Sequence, residues 1–281
     1  MTTIITGAFG FTGKYLVKAI QCKAISVSRP HKEKIEPHND VIMCDLLDTL
    51  SVNSLIKKYQ PKCIYHLAGS YTQNYDKDYD SNVVTTKNIL NAVKEFSPIS
   101  RILLIGSAAE YGTMKNKDCP VNEESELKPF NVYGLTKIYQ KSLMDYYINQ
   151  FSLNILMARP FNLFGRNAPD SLFIGSLYKQ IDLFKSGKIH KISLGNLESK
   201  RDYICVKDAV KHYIKIMEVG KSGQVYNVGT GKPTLTKDFL KIILDEEGLD
   251  LSCIKPNDRP IKANDSSVVY ADISKLQKLY N

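Results

Sequence analysis

The sequence predicts an α/β protein: a doubly wound parallel sheet with a small mixed α/β lobe added late in the chain. Three observations carry this. Short runs rich in Ile, Val and Leu alternate with helical periodicity through the first half, as in a sheet covered on both faces. The first run passes directly into a glycine-spaced turn and an amphipathic helix. After about residue 160 the alternation breaks at Pro160, Gly165 and Pro169 and resumes only further on.

Taken in order, the apolar runs place strands at Thr3–Thr6, Ala24–Val27, Val41–Met43, Cys63–Leu67, Ile102–Ile105 and Asn154–Ala158. Helices fall between them at Thr12–Gln21, Asp48–Tyr59, Tyr79–Phe96 and Asn131–Gln150. Beyond the break come a helix at Ser171–Ser186 and short strands at Ile189–Leu194 and Tyr203–Val206. A helix at Lys207–Val219 and a strand at Val225–Val228 read as a return to the sheet, and Thr236–Glu247 as a last helix. The expected division is a dinucleotide-binding core at 1–165 with a return at about 203–230, and a lobe at 166–202 and 231–281.

Composition narrows the classes. The 281 residues are 43% hydrophobic and 24% charged, enough for a core without staples. No stretch approaches a membrane span, and the N-terminus reads as a strand that starts at once, not as a leader. The cysteines (22, 44, 63, 119, 205, 253) show no metal or C-x-x-C spacing, so no metal is expected and the cytoplasm is the natural compartment. The net charge of +9 comes from scattered lysines, without the basic stripe of a nucleic-acid binder.

The glycine turn is Thr6-Gly7-Ala8-Phe9-Gly10-Phe11-Thr12-Gly13. Gly7 suits a tight turn, Gly10 a close approach to a pyrophosphate, and Gly13 close packing of the helix, whose N-terminus then faces the phosphates. The second strand ends in Ser26-Val27-Ser28-Arg29, without the carboxylate that would bind the ribose of NAD. Arg29 suits a 2′-phosphate, so NADP(H) is favoured over NAD(H); a merely solvated arginine is the alternative. Asp45 could accept from the adenine amino group, and Leu67-Ala68-Gly69 after His66 lets backbone approach the cofactor. His66 itself reads as a core-edge residue.

Tyr133 and Lys137 stand four apart, on one face of a helix. A tyrosine near pKa ~10 is a poor proton-transfer group at neutrality, and a neighbouring ammonium is expected to lower it. Ser107, at the tip of the fifth strand, could hydrogen-bond a carbonyl or alkoxide oxygen.

With these residues in place the chain resembles the extended short-chain dehydrogenase/reductase family acting on nucleotide sugars, a Rossmann-like fold. The resemblance runs through Gly7-x-x-Gly10-x-x-Gly13, His66-Leu-Ala, Ser107-Ala-Ala-Glu110-Tyr111-Gly112, Tyr133-x-x-x-Lys137 and Arg159-Pro-Phe-Asn162. It continues through Arg201-Asp202-Tyr203, Val206-x-Asp208, Tyr226-Asn-Val-Gly229 and Arg259-Pro260. It implies Ser107, Tyr133 and Lys137 as the catalytic set, Phe11 and Leu46 as further cofactor contacts, and the lobe as the substrate-binding part. It also implies Ser107, Ala108, Glu110, Asn162, Arg201 and Arg259 at the substrate, the two arginines on its phosphates, where always-charged planar donors fit. An ion pair that stabilises the fold is the other reading of those arginines.

Within the family the chain is most similar to the GDP-4-keto-6-deoxymannose reductases, with dTDP-linked ketoreductases also similar. The implied reaction supplies a deoxysugar for surface polysaccharide such as O-antigen. A nucleotide-sugar 4-epimerase using NAD, and a non-catalytic NADP-sensing protein, are the alternatives. Ala108 and Ala109 stand where dehydratases of the family carry a glutamate, often with an aspartate before it, and Glu110, one residue later on a segment expected to be extended, should turn away from the sugar. Helices Tyr79–Phe96 and Asn131–Gln150 are expected to pair two subunits as a four-helix bundle, as in relatives. One departure is the end at Lys278-Leu-Tyr280-Asn281, where relatives carry one more helical segment.

Overall fold

The computed structural model describes residues 2–20, 23–30, 41–114, 116–255 and 267–281. The first half contains β1 (Thr3–Thr6), α1 (Phe11–Ala19), β2 (Ala24–Ser28), β3 (Val41–Met43), α2 (Thr49–Tyr59) and β4 (Cys63–His66). It continues with α3 (Tyr75–Tyr79), α4 (Thr85–Phe96), β5 (Arg101–Ile105), α5 (Val132–Phe151) and β6 (Asn154–Pro160). Then come β7 (Asn162–Phe164), α6 (Phe173–Lys185), β8 (Ile192–Ser193), β9 (Lys200–Arg201), β10 (Tyr203–Cys205), α7 (Val206–Val219) and β11 (Val225–Val228). The chain ends with β12 (Thr234–Leu235), α8 (Thr236–Glu246), β13 (Ile254–Lys255), β14 (Val268–Val269) and α9 (Ser274–Gln277).

Seven strands form one parallel sheet in the order β11-β6-β5-β4-β1-β2-β3. Alternate residues of each strand serve opposite faces, which explains the unbroken Ile/Val/Leu runs. Ile4, Ile64, Ile102 and Ile155 pack under α2, α4 and α5 with Leu55, Leu90 and Met144. Their neighbours Ile5, Tyr65, Leu103 and Leu156 pack under α1 and α7 with Leu16, Val210 and Tyr213. A separate apolar cluster joins Leu177 and Ile181 of α6, Ile192 of β8, and Phe239 and Ile243 of α8.

Differences from the expected elements have local causes. The helix expected from Tyr79 starts a turn earlier, because Asn74 caps it by accepting from the Lys77 amide at 3.0 Å. It also passes through a π turn at Asp80–Val84, between α3 and α4. That wider turn accompanies two inward-facing polar side chains, Asp78 and Asn82, both fully buried. β7 replaces what read as loop after Pro160 and pairs in parallel with β10, and the strand expected at Ile189–Leu194 shrinks to β8. The first helix ends at Ala19, and Gln21 lies outside the described residues.

Arg101, half-buried at the start of β5, ties the sheet to the C-terminus of α7. Its Nε donates to Met217 O at 2.5 Å, one terminal nitrogen donates to Gly220 O, and Nη1 reaches Asn154 Oδ1 at 3.1 Å. A cation there also meets the negative end of the helix dipole. Arg101→Leu should lower unfolding stability by about 1–3 kcal/mol, read as a lower midpoint with unchanged slope in urea denaturation.

Candidate active site

The candidate site lies where the C-terminal ends of β1, β4, β5 and β6 meet the N-terminus of α5. Gly7 has φ +64°, and a Cβ there would come within 2.7 Å of the Ala68 nitrogen and the Leu67 carbonyl carbon. A Cβ at Gly13 would collide with the Gly7 oxygen. The turn is closed by Gly10 N donating to Gly7 O at 2.9 Å, and Gly10 is the N-cap of α1, with no side-chain cap hydrogen bond on its first turn. A backbone cradle against a helix N-terminus with unclaimed amides fits a dinucleotide pyrophosphate.

The other expected cofactor residues surround this turn. Thr6 pairs with Val27 on one side and His66 on the other, and Ser28 pairs with Met43. Arg29 and Asp45 therefore leave adjacent strands beside the cradle, both exposed. Asp45 Oδ1 accepts from the Leu47 amide at 3.0 Å, and the Leu46 carbonyl accepts from buried Asn88 at 3.0 Å. Ala68 N donates to Thr6 Oγ1 at 3.2 Å, and a Cβ on Gly69 would lie 3.5 Å from Lys137 Nζ. Phe11 is half-buried and packs on the cluster of α6 and α8.

α5 begins at Asn131, whose side chain accepts from Gly134 N at 2.8 Å, and brings Tyr133 and Lys137 to the tip of β5. Lys137 Nζ lies 5.6 Å from the centre of the Tyr133 ring and donates to Ile105 O at 2.8 Å and Gln140 Oε1 at 3.2 Å. Burial pushes the lysine down to about 8, while Glu110 and Asp78 pull the other way. The expectation that Lys137 lowers the Tyr133 phenol is corrected. Burial pushes the phenol up to about 12, against a hydrogen bond from the Ser107 side chain that lowers it. Desolvation of a phenolate is the largest cause here, so Tyr133 holds its proton throughout the neutral range. Ser107, Tyr133 and Lys137 are thus gathered at one place.

The surroundings of Glu110 differ most from the extended loop expected there. The loop after β5 is a 3₁₀ turn at Ala108–Glu110, not an extended segment, with Ser107 as N-cap accepting from Ala109 N at 3.1 Å. The Glu110 carboxylate is fully buried, accepts from Ser107 N at 2.7 Å and pairs with buried Arg159 at 2.7 Å. Ala108 packs beside Tyr111 and Phe161. Asn162 is exposed and donates to Asp202 O at 2.9 Å. Arg201 is half-exposed, with Nη1 on Lys200 O at 3.0 Å. Arg259 lies outside the described residues.

Sequence reasoning read His66 as a core-edge residue and missed the other polar side chains that hold this site. His66 is fully buried between Thr6 Oγ1 (2.8 Å) and Thr86 Oγ1 (3.0 Å), and burial pushes its pKa down to about 3, so it is a neutral core residue. Gln140 links Lys137 to Thr86, and Asn82 bridges Ser70 and Thr136. Asp78 accepts from Thr72 N, Thr72 Oγ1, Gln73 N and Ser70 Oγ, clamping the loop whose Tyr71 ring meets Tyr133 edge-on at 5.1 Å. Asp202 accepts from Thr230 N, Gly231 N and Ala271 N, fixing the strand that carries Arg201. The signal was available: Asp78, Asn82 and Thr86 are polar residues four apart on what should be an apolar helix face.

Gly7→Ala should strain the turn by about 1–3 kcal/mol and press a methyl into the β4 backbone. A lower melting temperature with weakened dinucleotide binding in a fluorescence titration is the expected pair of results.

Among the described residues no cluster of His, Cys, Asp and Glu is arranged for a metal ion, and no helix is long and apolar enough to cross a membrane. The profile of the "NAD dependent epimerase/dehydratase family" matches residues 3–229. The chain is 28% identical over 270 residues to GDP-6-deoxy-D-mannose reductase of Pseudomonas aeruginosa, covering 94% of this chain and 86% of that one. It is 25% identical over 284 residues to GDP-6-deoxy-D-talose 4-dehydrogenase of Aggregatibacter actinomycetemcomitans, covering 98% and 90%. The solved structure of RMD from Pseudomonas aeruginosa complexed with NADPH superposes with a TM-score of 0.85 at 25% identity, covering 99% of this chain and 91% of that one. With its parallel sheet, glycine cradle and Ser107–Tyr133–Lys137 set, the chain belongs to the NAD dependent epimerase/dehydratase family, enzymes of the extended short-chain dehydrogenase/reductase type.

Proposed function

We propose that this protein reduces the C4 ketone of a nucleotide-linked 4-keto-6-deoxyhexose with NADPH, the GDP-linked sugar being favoured. The observation that carries the reading is the pairing of a protonated Tyr133 with a Glu110 withdrawn from the cleft. Reduction needs a proton donor at the forming alkoxide, and Tyr133 keeps its proton while Ser107 hydrogen-bonds it. Elimination of water from a plain hexose needs in addition a carboxylate facing C5 and C6. Ala108 and Ala109 offer none, and Glu110 is engaged by Ser107 N and Arg159.

NADPH supplies the hydride when bound. The Gly7–Gly13 turn would hold its pyrophosphate, Arg29 its 2′-phosphate, and Lys137 the nicotinamide ribose. Tyr133 Oη would pass its proton to the C4 oxygen, and Ser107 Oγ would orient that oxygen. Arg201 would meet the diphosphate, steadied by the Asp202 clamp. The lobe (166–202 and 231–281) would form the sugar-nucleotide wall and 1–165 with 203–230 the cofactor core. The likeness to the reductase and the talose dehydrogenase supports a GDP sugar.

The product would serve surface polysaccharide synthesis, in the cytoplasm. The α3–α4 and α5 faces, with Tyr75 stacked on Tyr79 and exposed Tyr146, would pair two subunits as a four-helix bundle.

The deciding experiment supplies GDP-mannose with NADP, and separately GDP-4-keto-6-deoxymannose with NADPH. No change is expected in the first mixture and NADPH consumption in the second; a 4-keto product from the plain sugar would overturn the reading. Tyr133→Phe should bind NADPH normally and lose about 10²–10⁴-fold in turnover.

NADPH should bind more tightly than NADH by on the order of tenfold or more, the worth of a charge-assisted pair of about 1.5–3 kcal/mol. Arg29→Ala should erase most of that difference in a pair of fluorescence titrations.

A further inference from the structure

Behind the catalytic serine lies a fully buried ion pair that no step of the reaction uses. Glu110 Oε1 accepts from Ser107 N at 2.7 Å and Oε2 from Arg159 Nη2 at 2.7 Å. Both side chains are sealed, at 0% and 1% exposure. A Cβ on Gly106 would collide with Glu110 Oε1, so the backbone leaves room for this carboxylate. The Arg159 guanidinium lies 4.6 Å from the centre of the buried Tyr111 ring, and Tyr111 donates to buried Asn227 Oδ1 at 2.7 Å. Arg159 Nε and Nη1 have no hydrogen-bond partner among the described residues. So costly a pair is weak evidence for stability alone.

We propose that the Glu110–Arg159 pair is a positioning device for the catalytic set: Glu110 holds the Ser107 backbone and lends its charge to the Lys137 ammonium, and Arg159 keeps Glu110 aimed. Four groups face Lys137 from the elements packed on it: Glu110 from the 3₁₀ turn, Asp78 from α3, neutral His66 from β4 and the Tyr133 phenol from its own helix. Glu110 and Asp78 are the anions that favour its charged form, against burial. Asp78 is committed to the 70–73 loop, which leaves Glu110 as the anion that also touches the serine. The inference rests on the reductase reading for its kinetic arm and on the fold alone for its other arm.

The test uses Glu110→Gln, which keeps an acceptor for Ser107 N, and the double variant Glu110→Gln with Arg159→Met, which leaves no unpaired buried charge should the single variant misfold. With the ketosugar and NADPH, kcat should fall about 10–100-fold with KM within about twofold. The alkaline limb of kcat/KM, expected near 8 from Lys137, should move acidward by about one pH unit.

The second arm needs no substrate. Because Lys137 is depressed in the folded state, the unfolded chain binds the extra proton above pH 8, and stability rises with pH from there. Comparison with Lys137→Met in each background isolates that rise. Its onset should move acidward by the same amount in the Glu110 variants. An unmoved onset and limb, with only a lower melting temperature, would mean the pair is structural and overturn the proposal. An onset that moves in a protein inactive on every ketosugar would sustain the positioning role and remove the reductase reading instead.

Discussion

Everything in this molecule depends on how closely two strand ends can approach at the centre of the sheet. β1 and β4 lie side by side, and the chain leaves β1 in one direction for β2 and β3 and reaches β5 and β6 in the other. A crevice opens at such a reversal, at the carboxyl ends of the strands. Here it is kept open because Gly7 has no side chain: its left-handed turn packs directly on the Leu67–Ala68 backbone. The same contact aims the start of α1 at the crevice and sets Gly69 beside Lys137. Cofactor cradle and proton-transfer group are thereby fixed relative to one another by backbone, before any side chain is placed.

What the side chains add is a polar scaffold inside an otherwise apolar layer. Lys137 is held through Gln140, Thr86 and His66 back to Thr6, at the end of β1. Each member is buried, and each has a partner, so the network costs little and rigidifies much. The π turn between α3 and α4 belongs to this scaffold, because Asn82 lies within it and joins the β4 loop to α5. Such turns recur at functional sites.

The fold was legible in the sequence because its signals are local. Runs such as Ile102–Ile105 are apolar on both faces, and that is enough to identify a central parallel strand. The glycine turn and the Tyr133/Lys137 spacing were legible for the same reason, since each sits within one turn or one helix. The missing parts are long-range. Glu110 meets Arg159 across 49 positions and Asn82 meets Thr136 across 54. The expected net shift of Tyr133 had the wrong sign because a sequence shows the neighbouring charge and hides the burial. Glu110 was expected to face away from the sugar on the strength of an extended loop. The loop is instead a 3₁₀ turn, and its capping box rotates Glu110 into the interior.

That inward rotation bears on how one fold divides its chemistry. In a shared crevice the reaction is chosen by which carboxylates reach the sugar and which are held back. An ionised glutamate cannot be stored in a protein interior without a counter-charge, since desolvation alone would neutralise it. Arg159 provides the counter-charge, and its place at the end of β6 is fixed by pairing with β5 and β11. The carboxylate is therefore buried with a counter-charge, engaged by Arg159 on one oxygen and the Ser107 amide on the other. It can act only through what it touches, the Ser107 amide, and through its field on Lys137. Position along the loop, more than residue type, decides whether such a group faces the substrate or supports the residues that do.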